Sequence, residues 1–147
     1  MIMEFLPLLP EDAAICALLE SKYIECPWSE KTILDSLKQD SYIFVKATDG
    51  GKIVGYGGAQ LILDELNICN IAVFEDFRHK GAGSGILNTI VATGKARGAK
   101  RAFLEVNSAN APALSLYRKL GFEQIAVRGN YYASGDAIVM RLTVEEG

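Results

Sequence analysis

The segment DFRHKGAGSG, residues 76–85, limits what this chain can fold into more than any other stretch. Its glycines alternate between a basic cluster and ILNTIVATGKARG, an apolar segment that suits a helix. A strand, a short basic turn, close glycines and a helix N-terminus present a row of backbone N–H groups to an anion. Because a Cβ at Gly81 or Gly83 would hold a pyrophosphate off the backbone, the segment predicts a phosphate site. An exposed turn with solvated basic residues is the alternative.

The glycine spacing differs from that of two well-known phosphate motifs. Gly81, Gly83 and Gly85 give G-x-G-x-G, whereas the dinucleotide fingerprint is G-x-G-x-x-G with an acidic residue about twenty positions further on. The segment also lacks the G-K-[ST] ending of a P-loop. The expected ligand therefore carries phosphate but is bound by neither a Rossmann nor a P-loop motif.

Length and charge restrict the class of protein. A chain of 147 residues fits one domain, residues 1–147, with a single core. The net charge is −3 without a basic stripe, so no nucleic-acid partner is expected. Acidic residues interrupt the apolar N-terminal segment at Glu4, Glu11 and Asp12. That segment therefore predicts neither a signal peptide nor a membrane span, and no membrane association is expected.

The histidine and cysteine content excludes several chemistries. The single histidine, His79, lies inside the glycine-rich segment, so a site with several histidine ligands is impossible and no metal is expected. The three cysteines lack C-x-x-C spacing, which favours reduced thiols and a cytoplasmic location. The chemistry is therefore expected from carboxylates, tyrosines, backbone amides or a bound cosubstrate.

The apolar patterns predict an α/β class fold with a mixed α+β sheet. Predicted helices span about residues 12–23, a short segment capped by Ser29, 83–97, and 111–120 after an Asn110 cap. Predicted strands are 42–47, 52–63, 66–74, 101–106, 123–129 and 136–142, with NYYASG, residues 130–135, as the last loop. The order ααβββαβαββ predicts a three-strand antiparallel meander and helices on both faces of the sheet.

Several segments together resemble one enzyme family. Arg78, Gly81 and Gly83 match [QR]-x-x-G-x-[GA], motif A of the GNAT superfamily of acetyl-CoA-dependent N-acetyltransferases. PWSEKTI, NIAV, FLEVNSANAPALSLYRKLGFEQIAVRGNYY and DAIVM resemble its RimI-type branch, the enzymes that acetylate a ribosomal protein's N-terminal alanine. Phe74-Glu75 replaces a frequent proline, the NYYASG loop is short, and motif A does not require Gly85.

The resemblance implies the GNAT acyl-CoA N-acyltransferase fold, with two splayed central strands and acetyl-CoA as cosubstrate. The pantetheine arm would pair with the backbone of Ile71, Ala72 and Val73, and the N–H of Val73 would face the thioester carbonyl. Asn110 would contact coenzyme A as well as cap its helix. The residues implied for the pyrophosphate are His79, Lys80, Gly81, Ala82, Gly83 and Ser84.

The resemblance also implies two catalytic residues. Glu105 matches the general base of this branch, although the alternation in FLEV is equally compatible with a solvated carboxylate. Tyr117 matches the general acid that protonates the coenzyme's sulfur. It also belongs to an apolar helical stripe, so a core position is the alternative.

The acceptor is the least constrained part of the prediction. Trp28, Tyr131 and Tyr132 match segments that surround the acceptor in this branch. An α-amine has a pKa of about 8 and a lysine amine one of about 10.4, so a single carboxylate base deprotonates an α-amine more easily. The expected acceptor is a protein N-terminus, with the alanine of a ribosomal protein as the family default, and the expected assembly is a monomer or weak dimer. A lysine or small-molecule amine acetyltransferase and a non-catalytic acyl-CoA-binding module are the alternatives.

Overall fold

One mixed sheet organises the chain in a computed structural model that describes residues 2–132 and 134–144. Its order is β1-β2-β3-β4-β5-β7-β6, and only the β4–β5 pair is parallel. The strands are β1 (Met3–Pro7), β2 (Tyr42–Asp49), β3 (Lys52–Ile62), β4 (Glu65–Val73), β5 (Arg101–Asn107), β6 (Glu123–Tyr132) and β7 (Gly135–Thr143). The helices are α1 (Ala13–Tyr23), α2 (Glu30–Leu37), α3 (Ala82–Ala96) and α4 (Ala111–Lys119), with 3₁₀ turns at Pro10–Asp12 and Glu75–Phe77.

The predicted fold class and element order are confirmed, with one strand added and one extended. The sequence prediction missed β1, a five-residue edge strand that pairs antiparallel with β2. It also ended the fifth predicted strand at residue 129, whereas β6 continues through Tyr132. Of the predicted NYYASG loop, residues 130–132 are strand and residue 133 lies outside the described residues. Residues 1 and 145–147 of the predicted domain also lie outside them.

β1 explains the glycine that motif A does not require. The ring of Phe5 in β1 lies against Gly85 in the first turn of α3, where a Cβ on Gly85 would overlap the ring. Any larger residue at position 85 would therefore push the N-terminal strand off the helix that follows the glycine-rich segment.

Two apolar clusters cover opposite faces of the sheet, as the element order predicted. α3 packs on one face, where its buried Ile86, Leu87 and Ile90 join residues from β2 to β7. α1 and α2 pack on the other face against β2, β3 and β4, with Leu19 and Ile33 among their buried side chains. The sheet strands from β2 to β4 are therefore covered on both sides.

Local capping sets the helix boundaries that the sequence predicted. The hydroxyl of Ser29 accepts a hydrogen bond from the N–H of Thr32 at 3.1 Å, which starts α2. Asn110 Oδ1 accepts from the N–H of Ala113 at 3.2 Å, which starts α4. Gly121, which follows α4, has a φ of 100°, a left-handed conformation that glycine adopts without steric cost.

β4 and β5 separate soon after they meet. Their parallel register consists of three pairs, Glu65 with Arg101, Leu66 with Ala102 and Asn67 with Phe103. Beyond Asn67, β4 carries a bulge between its pairs with Gly57 and Ala59 of β3. A bulge bends its strand and increases its twist, so β4 turns away from β5 and leaves a gap between the two strands. The predicted splay of the central strands is therefore present.

Membrane-spanning helices and metal-ligand clusters are both absent from residues 2–132 and 134–144. No helix there is long and apolar enough to cross a membrane. No three or more His, Cys, Asp or Glu side chains there are grouped so that they could hold a metal ion.

The close approach of α3 to β3 depends on Gly57. A Cβ at this position would lie 2.6 Å from Ile86 Cγ2 and 3.1 Å from Ile71 Cγ1. We expect Gly57→Ala to lower the free energy of unfolding in urea by about 1–3 kcal/mol, because the core must expand to accept the methyl group. Gly129→Ala, on the exposed strand β6 with open space around the added Cβ, is the matched control and should change it by less than about 0.5 kcal/mol. Equal effects of the two substitutions would contradict this packing.

Candidate active site

The end of β4 presents backbone groups to the gap beside β5. The N–H of Phe74 donates to Val54 O of β3 at 2.9 Å, so the peptide groups of the preceding residue point the other way. Since direction alternates along a strand, the N–H and C=O groups of Ile71 and Val73 face the gap. Those of Ala72, between them, face β3. The splayed end of β4 therefore offers a short free ladder edge at the centre of the sheet.

The glycine-rich segment forms a tight turn directly after that edge. His79 and Gly81 have left-handed φ values of 63° and 88°. The first hydrogen bond within α3 runs from the N–H of Gly85 to Gly81 O at 2.9 Å. The N–H groups of Ala82, Gly83 and Ser84 therefore precede the helical ladder and lie at the positive end of the α3 dipole. This geometry suits an anion.

The basic residues of the turn have different surroundings. Arg78 Nε donates to Val73 O at 3.3 Å, and the guanidinium lies 4.5 Å from the centre of the Tyr23 ring. Arg78 therefore braces the turn against the end of β4. The Lys80 ammonium lies 5.5 Å from the centre of the Phe77 ring. Lys80 and Gly81 also line an open cavity of about 340 Å³ beside the turn.

Glu105 lies just beyond the point where β5 leaves β4. It follows the last β4–β5 pair, that of Phe103, by two residues, so it shares the strand face of Phe103 at the mouth of the gap. Its side chain is 30% exposed, and its Oε1 lies 3.2 Å from Nη1 of Arg128 in β6. The carboxylate is therefore reachable from solvent and paired with one cation.

Tyr117 approaches from α4, on the α3 side of the sheet. Its ring packs edge to face on Phe122 with 6.0 Å between centroids, and it contacts the cluster around α3. Burial, and then the neighbouring Tyr132, raise the pKa of Tyr117 to about 12. The phenol is therefore protonated at neutral pH. Its ring is partly buried against the cluster around α3, and the role of Tyr117 as general acid stays a prediction.

Tyr132 connects the two candidate catalytic residues. Burial raises its pKa, and the nearby Glu105 carboxylate raises it further. The same phenol raises the pKa of Tyr117, so Tyr132, at the end of β6, lies near both Glu105 in β5 and Tyr117 in α4. Tyr131 is more exposed, with its ring 5.1 Å from that of Tyr132 and 5.7 Å from the Arg128 guanidinium.

A chain of hydrogen bonds closes this end of the sheet. Asn107 Nδ2 donates to Ser134 Oγ at 2.6 Å, and the same hydroxyl lies 3.1 Å from Oε1 of Glu25, in the connection between α1 and α2. Asp136 Oδ1 accepts from the N–H of Asn130 at 2.8 Å. The α1–α2 connection and the β6–β7 turn therefore meet beside Glu105 and Tyr132.

Trp28 and Asn110 lie apart from this cluster. The Trp28 ring packs edge to face on Tyr42 and Phe44 of β2, at centroid distances of 6.1 and 6.3 Å. Its side chain thus points away from β5, although its backbone belongs to the connection that borders the site. Asn110 caps α4, as predicted. Acceptor contact by Trp28 and coenzyme contact by Asn110 stay predictions.

Sequence reasoning missed Arg128. No local pattern marks it, because its partnership with Glu105 depends on β7 lying between β5 and β6. Val139 of β7 is opposite Glu105 on one side and opposite Ala126 of β6 on the other. The only signal in the sequence is the alternation of Ala126, Arg128 and Asn130, which places these residues on one face of a strand.

A splayed mixed sheet with a phosphate-type turn at the start of its central helix defines a class of acyltransferase. Residues 9–122 match the sequence model of the acetyltransferase (GNAT) family. The chain belongs to that family, as the resemblance predicted, and is therefore an N-acetyltransferase of the kind that takes its acetyl group from acetyl-CoA.

Individual relatives narrow the likeness within the family. The chain is 35% identical over 130 residues to the [ribosomal protein bS18]-alanine N-acetyltransferase of Escherichia coli K12, which covers 86% of this chain and 87% of that enzyme. The crystal structure of the ribosomal-protein-S18-alanine N-acetyltransferase from Escherichia coli superposes with a TM-score of 0.89 at 33% identity, covering 99% of this chain and 96% of that one. The crystal structure of Ard1 from Thermoplasma volcanium superposes with a TM-score of 0.90 at 26% sequence identity, covering 99% of this chain and 100% of that one. The resemblance to the RimI-type branch is confirmed.

The raised pKa of Tyr117 predicts a measurable titration. An ordinary tyrosine loses its proton near about pH 10. In the folded protein Tyr117 should lose its proton at about pH 12. The alkaline absorbance titrations of the wild type and Tyr117→Phe should therefore differ by one tyrosinate signal that appears at that pH. The favourable environment of the neutral phenol acts fully below about pH 10 and is lost as the pH rises toward the folded value. The wild type should therefore lose more unfolding free energy than Tyr117→Phe across that interval. If the signal that the variant lacks is centred at about pH 10, the burial of Tyr117 is contradicted.

Proposed function

We propose that this enzyme transfers an acetyl group from acetyl-CoA to the N-terminal α-amine of a protein, with the alanine of a ribosomal protein as the preferred acceptor. The observation that carries the proposal is the position of Glu105 just past the last β4–β5 pair, with the phenol of Tyr132 near enough to influence both Glu105 and Tyr117. The 35% identity to the Escherichia coli enzyme supports the choice of acceptor.

The free edge of β4 supports the placement of the coenzyme. Pantetheine contains two amides, which can pair with the backbone groups of Ile71 and Val73 as a short added strand. The pyrophosphate would then lie at the turn from His79 to Ser84, bound mainly by backbone N–H groups at the start of α3. The thioester would lie at the opposite end of the arm, toward Glu105.

The residues around the gap support direct transfer without a covalent enzyme intermediate. Glu105 would accept the proton of the acceptor ammonium, directly or through water, and free the nitrogen lone pair to attack the thioester carbon. The N–H of Val73 would donate to the carbonyl oxygen as negative charge develops on it. The new C–N bond forms, the nitrogen loses its second proton to solvent, and the C–S bond breaks as Tyr117 donates its proton to the departing sulfur. Glu105 then releases its proton to solvent, and Tyr117 regains one from it.

The charges suit an α-amine. About a tenth of an α-amine with a pKa near 8 is already neutral at pH 7, against a few parts in ten thousand for a lysine. Glu105 is half-buried and paired with Arg128, and it is the one carboxylate proposed as the base. One such base is enough for a protein N-terminus. A lysine or small-molecule amine on the same scaffold is the alternative acceptor.

The acceptor can be tested with short peptides. We expect release of free CoA from acetyl-CoA in the presence of peptides with an unblocked N-terminal alanine, and none with N-terminally blocked peptides that contain lysine. Peptides that differ only in their first residue then give its preference. Turnover on blocked lysine peptides alone would overturn the acceptor assignment. No turnover on any amine would instead support a regulatory module that only binds acyl-CoA.

The roles of the two catalytic residues predict different kinetic effects. Glu105→Gln should lower turnover by roughly 10²–10⁴-fold, as expected for loss of a general base. The loss should be largest below about pH 8, where most of the α-amine is protonated. Glu123→Gln, an exposed carboxylate on β6, is the control and should leave turnover unchanged. A pH-independent effect of Glu105→Gln would exclude a role as base.

Tyr117→Phe should lower turnover and leave acetyl-CoA binding nearly intact, because the variant keeps the ring and loses only the proton donor. Tyr42→Phe removes a hydroxyl from a ring on β2, which β3 separates from β4, and is the matched control; the ring stacks on Phe44 with 5.7 Å between centroids. Binding is measured by calorimetry and turnover by release of free thiol. Full turnover in Tyr117→Phe would show that this side chain belongs only to the core.

A further inference from the structure

A buried carboxylate lies behind the bulge that separates β4 from β5. Glu20 of α1 is 0% exposed, on the same helix face as the buried Cys16 and Leu19. An acidic residue is rarely fully buried unless several hydrogen bonds compensate for the loss of water. The mechanism above does not use Glu20, so its burial needs another explanation.

Three separate parts of the chain donate hydrogen bonds to Glu20. The N–H of Trp28 donates to Oε1 at 2.9 Å, and Asn70 Nδ2 lies 2.9 Å from Oε1 and 3.0 Å from Oε2. Tyr56 of β3 donates its hydroxyl to Oε2 in a short hydrogen bond. The N–H and the amide can only donate, so both oxygens of Glu20 act as acceptors. Burial, and then Glu20, raise the pKa of Tyr56 far above its ordinary value, which keeps its hydroxyl a donor as well.

Asn70 lies within the bulge itself. Gly57 pairs with Ile71 and Ala59 pairs with Ile68, so Cys69 and Asn70 together oppose one residue of β3. Ile68 and Ile71 both pack into the cluster around α3 although they are three positions apart, which shows that the bulge resets the alternation of the strand. The Asn70 side chain is thereby directed to the α1 face, where Glu20 binds it.

We propose that Glu20 is a positioning residue that holds the β4 bulge, and with it the gap for the pantetheine arm, in its open form. It acts through Asn70 on the bulge and through the Trp28 N–H on the α1–α2 connection that borders the acceptor end. A carboxylate suits this task because two adjacent oxygens can receive donors from β3, β4 and the connection at once. The inference rests on the proposed placement of coenzyme A along β4.

The position of the bulge explains why such a brace is needed. Val73 and Ile71, the residues whose peptide groups face the gap, follow the bulge directly. Without Asn70 held toward α1, β4 could lose its extra residue and run on beside β5, which would move Ile71 and Val73 out of register with the arm. The contact with Glu20 therefore fixes the backbone that the coenzyme must meet.

Calorimetric titration of acetyl-CoA into the purified protein tests the proposal without any acceptor. Glu20→Ala and Asn70→Ala should each weaken binding by about tenfold, equivalent to about 1.4 kcal/mol. The double variant should bind no more weakly than Glu20→Ala alone, because both substitutions remove the same contact. Glu20→Gln should bind within about threefold of the wild type, since its amide oxygen can accept from Trp28 and Asn70 while its NH₂ faces the Tyr56 oxygen.

Asp12 supplies the matched control for lost stability. It is also buried and bound at the start of α1, to Lys46 Nζ at 2.7 Å and to the Leu9 N–H at 2.8 Å, and neither of these partners belongs to β4. Asp12→Ala should lower the melting temperature and change acetyl-CoA binding by less than about twofold. Where Glu20→Ala does not fold, Asn70→Asp, which keeps the shape of the side chain and removes its donor, takes its place and should show the same tenfold loss.

The outcomes separate this inference from the proposed function. Equal affinities for the wild type, Asn70→Ala and Asn70→Asp would overturn the role of Glu20 and leave the coenzyme site in place. Additive losses in the double variant would also overturn it, since the two residues would then act separately. A wild type that does not bind acetyl-CoA would overturn the coenzyme placement itself. Tenfold losses that Glu20→Gln avoids and Asp12→Ala does not reproduce would establish the positioning role.

Discussion

The separation of β4 from β5 after three pairs is the constraint on which the rest of this molecule depends. It leaves backbone donors and acceptors of Ile71 and Val73 without a ladder partner in the middle of a sheet, where such groups are normally paired. A ligand with amides of its own can complete that ladder, and an ordinary apolar ligand cannot. An extended molecule with amides, such as the pantetheine arm proposed to bind here, has the groups that this edge lacks.

The chain order then fixes the distance between the two ends of the ligand. Phe74 leaves the edge of β4, and the turn at His79 and Gly81 delivers the chain to the N-terminus of α3. Arg78 ties this turn to Val73 O and so links the proposed anion site to the end of β4. Phe5 against Gly85 and Gly57 against Ile86 hold α3 from two sides. Close packing at two glycines thus sets the position of the helix at whose N-terminus the pyrophosphate is proposed to bind.

The sequence predicted the features that one continuous segment encodes. It missed the contacts that depend on how distant strands pair. The turn, Glu105 and Tyr117 each lie in a continuous motif, and the caps at Ser29 and Asn110 follow from residue type alone. Arg128 meets Glu105 only across β7, and Asn70 meets Glu20 from fifty residues away. Strand β1 was missed because five residues that end in Pro7 carry too little alternation to stand out.

The two residues proposed to transfer protons lie in different environments. Glu105 is 30% exposed at the mouth of the gap, where its carboxylate pairs with Arg128. Tyr117 is packed on Phe122 on the core side of the sheet, where burial keeps it protonated. In the proposed reaction one proton is therefore taken on the solvent side and another is given on the buried side. Tyr132 raises the pKa of Tyr117 and has its own pKa raised by Glu105, so the end of β6 affects the charge balance of both proposed groups.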